Sequence, residues 1–276
     1  MKITVLVDNS PCSSELELQT EHGLSLYIEH NNQKILCDMG ATGVFADNAK
    51  ALGIDMASCD FAFISHGHND HCGGLEYFLE NTTSKKVYIH SSIANEEYFS
   101  TRRGELRNLC CNHRLFDEYR ERFNYIETTT QIGKGVFAVQ CNTRKEPMPY
   151  GNIFLLKKAG EKEENDTFHH ELSLVFVTAK GLIIFSPCSH CGALNIISEC
   201  QTITGCEKVY AYIGGLHFVE SDYCISEATD FANTIKSRFP DTMVFTGHCT
   251  CDTAKEILKK TSNMIDFFAT GCVIEL

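Results

Sequence analysis

The chain has 276 residues, 43% hydrophobic and 22% charged, the balance of a packed globular protein and not of a disordered one. Its 36 acidic against 24 basic residues leave a formal charge of -12, a surface field that repels nucleic acid and anionic membranes. Fifteen cysteines are too sparse for a disulfide scaffold at this length, and residues 1–10 lack the apolar run and cleavage pattern of a signal peptide. Together these imply reduced thiols in a cytoplasmic protein with no membrane span.

Taken in chain order, short β-branched or aromatic runs predict strands at 3–7, 24–29 and 34–37, followed by a helix at 44–52 and a strand at 61–64. A helix at 74–80, a strand at 86–89 and a helix at 92–98 come next. Residues 101–123 read as an insertion carrying Arg102, Arg103, Arg107, Arg114, Arg120 and Arg122 among Glu105, Asp117, Glu118 and Glu121. It is either a solvated, ion-paired helical segment or a basic lip for an anion. Strands follow at 135–139 and 153–157, a charged turn at 161–166, and strands at 172–177 and 182–185. The remainder alternates, with helices at 193–200, 226–237 and 253–260 and strands at 208–212, 243–245 and 264–269. Meander-like strands followed by alternating β and α elements predict an αββα sandwich of two mixed sheets with outer helices, here a single domain over 1–276 without internal repeat or linker.

The densest chemistry follows the apolar run 60–65, where Ser65-His66-Gly67-His68-Asn69-Asp70-His71-Cys72-Gly73-Gly74 sets four metal-capable side chains within six positions. His66 and His68 converge from an extended strand end, and the turn at Gly73 and Gly74 brings Asp70 and His71 round to a second point. Two adjacent cation sites follow. Imidazole with carboxylate suits two divalent ions, zinc first with iron or manganese as alternatives, and no Cys-x-x-Cys pair stands nearby to make a closed structural zinc site.

Residues 65–74 resemble the first ligand motif of the metallo-β-lactamase superfamily, and Ile35-Leu36-Cys37-Asp38-Met39-Gly40 resembles the strand ending in Asp-x-Gly that supports it, which implies that Asp38 steadies a ligating imidazole. Later motifs occur in the family's order. His170 precedes a strand pair and Ser186-Pro187-Cys188-Ser189-His190 ends it, so the resemblance implies a ligand among His170, Cys188 and His190. The Cys-Ser-His run is similar to the branch labelled dihydropterin-ribofuranosyl-aminobenzene phosphate synthases. His248, in Thr246-Gly247-His248-Cys249, matches the last metal ligand, and His217, in Gly214-Gly215-Leu216-His217, matches a residue facing substrate.

The resemblance implies a hydrolase. His66, His68 and either His170 or His190 would hold one metal, and Asp70, His71 and His248 the other, with a shared water acidified to hydroxide at neutral pH. Asp70 would orient that water and His217 would stabilise charge or donate a proton. The expected substrate is a small anionic phosphodiester or cyclic phosphate; a lactone or thioester is the alternative. Two further readings are a di-iron redox centre and a metal or redox sensor using Cys188, Cys191, Cys249 and Cys251. An exported antibiotic-degrading enzyme does not fit a chain without an export signal.

Overall fold

The computed structural model describes residues 1–12, 16–160 and 162–276. They cluster into two compact units, one of Met1–Glu127, Leu155–Asp166 and Phe268–Leu276, the other of Thr128–Phe154 and Thr167–Phe267.

The first unit contains β1 (Lys2–Val7), β2 (Ser25–His30), β3 (Gln33–Cys37), α1 (Val44–Ala51), β4 (Phe61–Phe63), α2 (Asn69–Cys72), α3 (Leu75–Asn81) and β5 (Lys86–His90). It continues with β6 (Glu97–Ser100), β7 (Arg107–Asn108), α4 (Arg114–Glu118) and β8 (Phe123–Ile126). The second unit starts with β9 (Thr130–Gly133) and β10 (Val136–Gln140). The chain then returns to the first for β11 (Leu155–Ala159) and β12 (Lys162–Asn165). The second unit resumes at β13 (Leu172–Thr178), β14 (Gly181–Phe185), α5 (Ala193–Thr204), β15 (Val209–Ile213), α6 (Cys224–Arg238), β16 (Met243–Thr246), α7 (Asp252–Thr261) and β17 (Ile265–Phe267). β18 (Val273–Glu275) completes the first.

Each unit is built on a seven-stranded mixed sheet, ordered β18-β1-β2-β3-β4-β5-β8 in the first and β17-β16-β15-β14-β13-β10-β9 in the second. The first runs antiparallel from β18 to β3 and parallel from β3 through β4 and β5 to β8. The second repeats this plan, antiparallel from β9 to β14 and parallel from β14 through β15 and β16 to β17. No sequence repeat accompanies the repeated topology. The two mixed sheets with helices expected from the sequence are therefore present. β14 is buried at all five positions, as a strand covered on both faces must be. In α6 the residues Cys224, Ala228, Phe231, Ala232 and Ile235 form one buried stripe at helical spacing.

Four local expectations need correction. Residues 92–98 are not a helix: a 3-10 turn at Ser91–Ala94 leads into β6. The turn is held by the Ser92 N–H donating to His90 Nδ1, and β6 pairs with β11, more than fifty residues downstream, so local periodicity misreads it. The segment 101–123 is helical only at Arg114–Glu118 and in the 3-10 turn Arg120–Arg122; residues 101–106 form the turn that lets Arg107–Asn108, as β7, fold back and pair with β6. Residues 150–154 form a 3-10 turn, so the strand expected at 153–157 starts at Leu155. Of the charged turn at 161–166, Glu161 lies outside the described residues and Lys162–Asn165 is strand β12, paired with β11. No helix of the described residues is long and apolar enough to cross a membrane.

Candidate metal centre

In the first unit the histidine motif occupies the loop between β4 and α2, at the carboxyl end of a parallel strand, and the Asp38 turn leaves the adjacent end of β3. The two loops are laced by backbone bonds, from Asp38 N to the Phe63 carbonyl at 2.9 Å, Met39 N to that of His71 at 2.8 Å and Gly73 N to that of Gly40 at 3.0 Å. Glycine is required at 73 and 74 because a Cβ would sit 2.2 Å from the Ala41 carbonyl oxygen and 2.3 Å from that of Met39.

Asp38 is fully buried and adopts a left-handed φ of 57°. Its Oδ1 accepts from the Ser65 N–H at 2.7 Å, and its Oδ2 accepts from Ser65 Oγ at 2.7 Å and from His71 Nδ1 at 2.7 Å. Ser65 Oγ also lies 2.8 Å from His66 Nδ1. A serine hydroxyl has one proton, and here it goes to Asp38, so His66 Nδ1 must be the donor to Ser65. Both His66 and His71 then carry their proton on Nδ1 and present a basic Nε2, the tautomer a metal takes. The ring of His66 stands 4.6 Å from that of His68 and 4.2 Å from that of His71. Asp70 Oδ2 is 3.8 Å from His71 Nε2 and 3.3 Å from the exposed His22 Nε2. The fold thus brings His66, His68, Asp70, His71 and Asp38 to one loop cluster.

In the second unit the loops after β14, β15 and β16 supply Cys188, His217 and His248, again at the carboxyl ends of adjacent parallel strands, where open α/β sheets gather their ligands. One donor atom from each of Cys188, His190 and His217 falls within 4.8 Å of the others, and the same holds for Cys188, His248 and Cys249. Cys188 Sγ lies 3.6 Å from His217 Nδ1 and donates to Cys249 Sγ at 3.1 Å. Buried His217 Nε2 has no hydrogen-bond partner. His190 Nδ1 is 3.2 Å from Asn152 Oδ1, and its ring lies flat on Phe168. His170 is fully buried on the turn before β13, its ring 6.2 Å from that of Phe168. Phe168, Ser189, His217 and His248 share with Asp38 a positive φ, from 47° to 61°, a concentration of backbone strain of the kind found at functional sites.

Sequence reasoning gave no role here to Glu171 or Asn152 and named Cys249 only among the thiols of a metal or redox sensor. Cys249 faces Cys188, and a Cβ on Gly215 would sit 2.3 Å from its sulfur. Burial raises the Cys249 thiol, but hydrogen bonds from Cys188 and His217 and the charges of His248 and His217 outweigh it, holding the thiol well below its ordinary value. Glu171, buried, accepts from the His190 N–H at 2.7 Å and the Cys191 N–H at 2.8 Å, which ties the β14 loop to the His170 turn. Asn152 lies in the 3-10 turn before β11. The only sequence signal for any of them is the adjacency of Cys249 to His248 and of Glu171 to His170.

Each unit's donors by themselves suit a divalent metal: in the first, imidazoles held in the ligating tautomer beside a carboxylate; in the second, thiols one of which is disposed to ionise and a buried imidazole nitrogen without a hydrogen bond.

Residues 19–109 match the family model described as the metallo-beta-lactamase superfamily. A solved structure described as a metal-dependent hydrolase of the beta-lactamase superfamily superposes with a TM-score of 0.82 at 27% identity, covering 100% of this chain and 99% of that one. The chain has the metallo-β-lactamase fold. Within that fold the sequence is 29% identical, over 84% of this chain and 81% of the relative, to a Methanocaldococcus jannaschii protein named 7,8-dihydropterin-6-methyl-4-(beta-D-ribofuranosyl)-aminobenzene-5'-phosphate synthase. It is 27% identical to an uncharacterized protein of the same organism, over 95% of this chain and 96% of that one.

Proposed function

We propose that this metallo-β-lactamase-fold protein is a cytoplasmic metal-dependent hydrolase of a small anionic phosphodiester or cyclic phosphate. The observation that carries the reading is the Asp38 array, in which one carboxylate directs His71 and, through Ser65, His66, so that both offer Nε2. The proposed ligands are His66, His68, Asp70 and His71 from the first unit and, from the second, His248 with one or more of His170, Cys188 and His190. Two divalent cations, zinc foremost, would supply a water acidic enough to attack at neutral pH.

The chain's own residues do the rest. Asp38 and Ser65 keep protons on the Nδ1 atoms of His71 and His66. Asn152 and Phe168 keep His190 in one orientation. His217, whose buried Nε2 has no hydrogen-bond partner, is suited to receive or donate a proton at the leaving group.

Two similarities support the reading: the solved relative described as a metal-dependent hydrolase and the relative whose named product is a phosphate ester. The second name also favours another reading, in which the same centre serves a synthetic reaction on a ribofuranosyl phosphate.

The test is metal content and turnover together. Protein purified without added metal should hold about two divalent ions per chain, and His68→Ala, Asp70→Ala and His248→Ala should lower that number. The same preparations should hydrolyse bis(p-nitrophenyl) phosphate and lose the activity on His68→Ala. Hydrolysis of lactones or thioesters with phosphodiesters untouched overturns the substrate class. Metal content indifferent to all three substitutions overturns the ligand set.

A further inference from the structure

The loop from Gln19 to Leu24 carries a histidine outside the proposed ligand set. His22 lies between β1 and β2 with 69% of its side chain exposed, yet its Nε2 stands 3.3 Å from Asp70 Oδ2 and its Nδ1 3.2 Å from Asn9 Nδ2. We infer that His22 is a positioning residue, which donates a hydrogen bond from Nε2 to Asp70 and so fixes the plane of that carboxylate for a divalent metal. The inference rests on the reading of Asp70 as a metal ligand.

The direction of each hydrogen bond follows from one fixed donor. A backbone N–H can only donate, and that of Gly23 lies 3.2 Å from Asn9 Oδ1, so this oxygen accepts and the Asn9 amide is turned with Nδ2 toward His22. Nδ2 in turn only donates, so His22 Nδ1 accepts and the ring proton must be on Nε2. That proton faces Oδ2 of Asp70, a carboxylate oxygen, which accepts. Gly23, Asn9, His22 and Asp70 thus form one series in which every donor meets an acceptor. Turning the Asn9 amide or moving the ring proton would set two donors or two acceptors face to face.

An exposed side chain holds such a geometry only on a rigid loop, and this loop is anchored on both sides of His22. Asn48 Oδ1 accepts from the Gln19 N–H at 2.9 Å, and its Nδ2 donates to the Gln19 carbonyl at 2.8 Å. Glu21 accepts from the N–H groups of Ala41 and Thr42 at 2.9 and 3.1 Å and from Thr42 Oγ1 at 2.7 Å. Beyond His22, the Leu24 N–H donates to the Asp70 carbonyl at 3.1 Å. Glycine at 23 permits that approach, since a Cβ there would sit 2.6 Å from the same oxygen. The loop therefore grips the backbone of Asp70 while His22 reaches its side chain. An aspartate carboxylate turns in a broad torsional well, and a donor that selects its orientation beforehand removes that ordering cost from metal binding.

The zinc affinity of metal-stripped protein, measured by competition with a chromophoric chelator, tests the inference through two replacements of His22. His22→Phe keeps a planar ring and removes the donor; His22→Gln sets an amide N–H near the place of Nε2. The first should weaken zinc binding about 10–100-fold and the second should restore it, whereas a merely structural role for the ring would be served better by phenylalanine. In an Asp70→Ala background neither replacement should change the affinity further, because the group they act on is gone. Thermal melts of the stripped proteins should coincide, as expected at an exposed position. Nitrogen NMR of metal-stripped protein carrying labelled histidine, with the His22 signals assigned by their absence from His22→Phe, should find the proton on Nε2. Wild-type affinity in His22→Phe, no rescue by glutamine, an equal loss with Asp70 absent, or a proton on Nδ1 overturns the inference. If Asp70→Ala weakens zinc binding and His22→Phe does not, the inference alone fails; if Asp70→Ala leaves zinc binding unchanged, the ligand reading fails and the inference with it. The expected affinities without phosphodiester hydrolysis keep His22 in its role and remove the hydrolase reading.

Discussion

The imidazole of His190 lies on the ring of Phe168 with centroids 4.6 Å apart and planes only 6° from parallel. With Asn152 Oδ1 at its Nδ1, the ring has its plane set by one residue and its rotation by another. Such double restraint is what a ligating histidine needs.

Asn152→Ala removes the contact of its Oδ1 with His190 Nδ1 and the bond its Nδ2 donates to the His190 carbonyl, and keeps the stack. If His190 binds metal, affinity should fall about 10–100-fold, as for other partners of ligating histidines. Competition with a chromophoric chelator measures this. Unchanged affinity would remove His190 from the ligand set and leave His170 and Cys188.

Asp38→Asn keeps the volume and loses an acceptor. An asparagine amide cannot accept from Ser65 N–H, Ser65 Oγ and His71 Nδ1 in the observed arrangement, so one buried donor is left unmatched. The variant should lose about 1–3 kcal/mol of stability and about 10–100-fold in metal affinity. Chemical denaturation of chelator-treated protein isolates the first effect. A variant as stable as wild type, with equal metal content, would mean that the array does not orient the histidines.

The arginines of 101–123 should separate into two classes. Arg122 donates to the carbonyls of Leu79, Thr82 and Lys85 and to Thr82 Oγ1, so it closes the end of α3 against the segment before β5. Arg122→Ala should destabilise by roughly 2–3 kcal/mol, since buried Thr82 loses its charged donor. Arg102 and Arg103 are exposed, and their replacement by alanine should change stability by less than about 0.5 kcal/mol. Thermal melts decide. A fall in substrate affinity on Arg102→Ala or Arg103→Ala without loss of stability would support the basic lip.

Cys59 is fully buried, and burial pushes its thiol up to about 12. The folded state therefore holds the proton more tightly than the unfolded chain, whose thiol titrates near ~8.5. The stability from this group is complete below that value and is lost as pH rises toward the folded one. Iodoacetamide at pH 8, read by peptide mass spectrometry, should leave Cys59 unlabelled in the folded protein and label it after denaturation. Labelling in the native state at the rate of an exposed thiol would contradict the burial.

What could be read along the chain was what is local. The motif from Ser65 to Gly74 is ten contiguous residues whose spacing converges imidazoles by strand alternation and a glycine turn. The core strands and α5, α6 and α7 likewise have period-2 or helical patterns contained within themselves. β6, β7 and β12 were illegible because what makes them strands is their pairing: β7 pairs with β6 and β12 with β11, and both hairpins are joined by the β6–β11 pairing, whose partners lie more than fifty residues apart. For the same reason, only the tertiary structure could decide that Cys249 faces Cys188 and that Asn152 meets His190. Only it could show that His22 stands against Asp70. Each of these pairs comes from different loops or helices; Cys188 and Cys249 follow strands of one parallel sheet, whereas Asn152 reaches His190 from the turn before β11. A linear sequence records the residue types at those strand ends, whereas the distances between them are set by sheet register and packing.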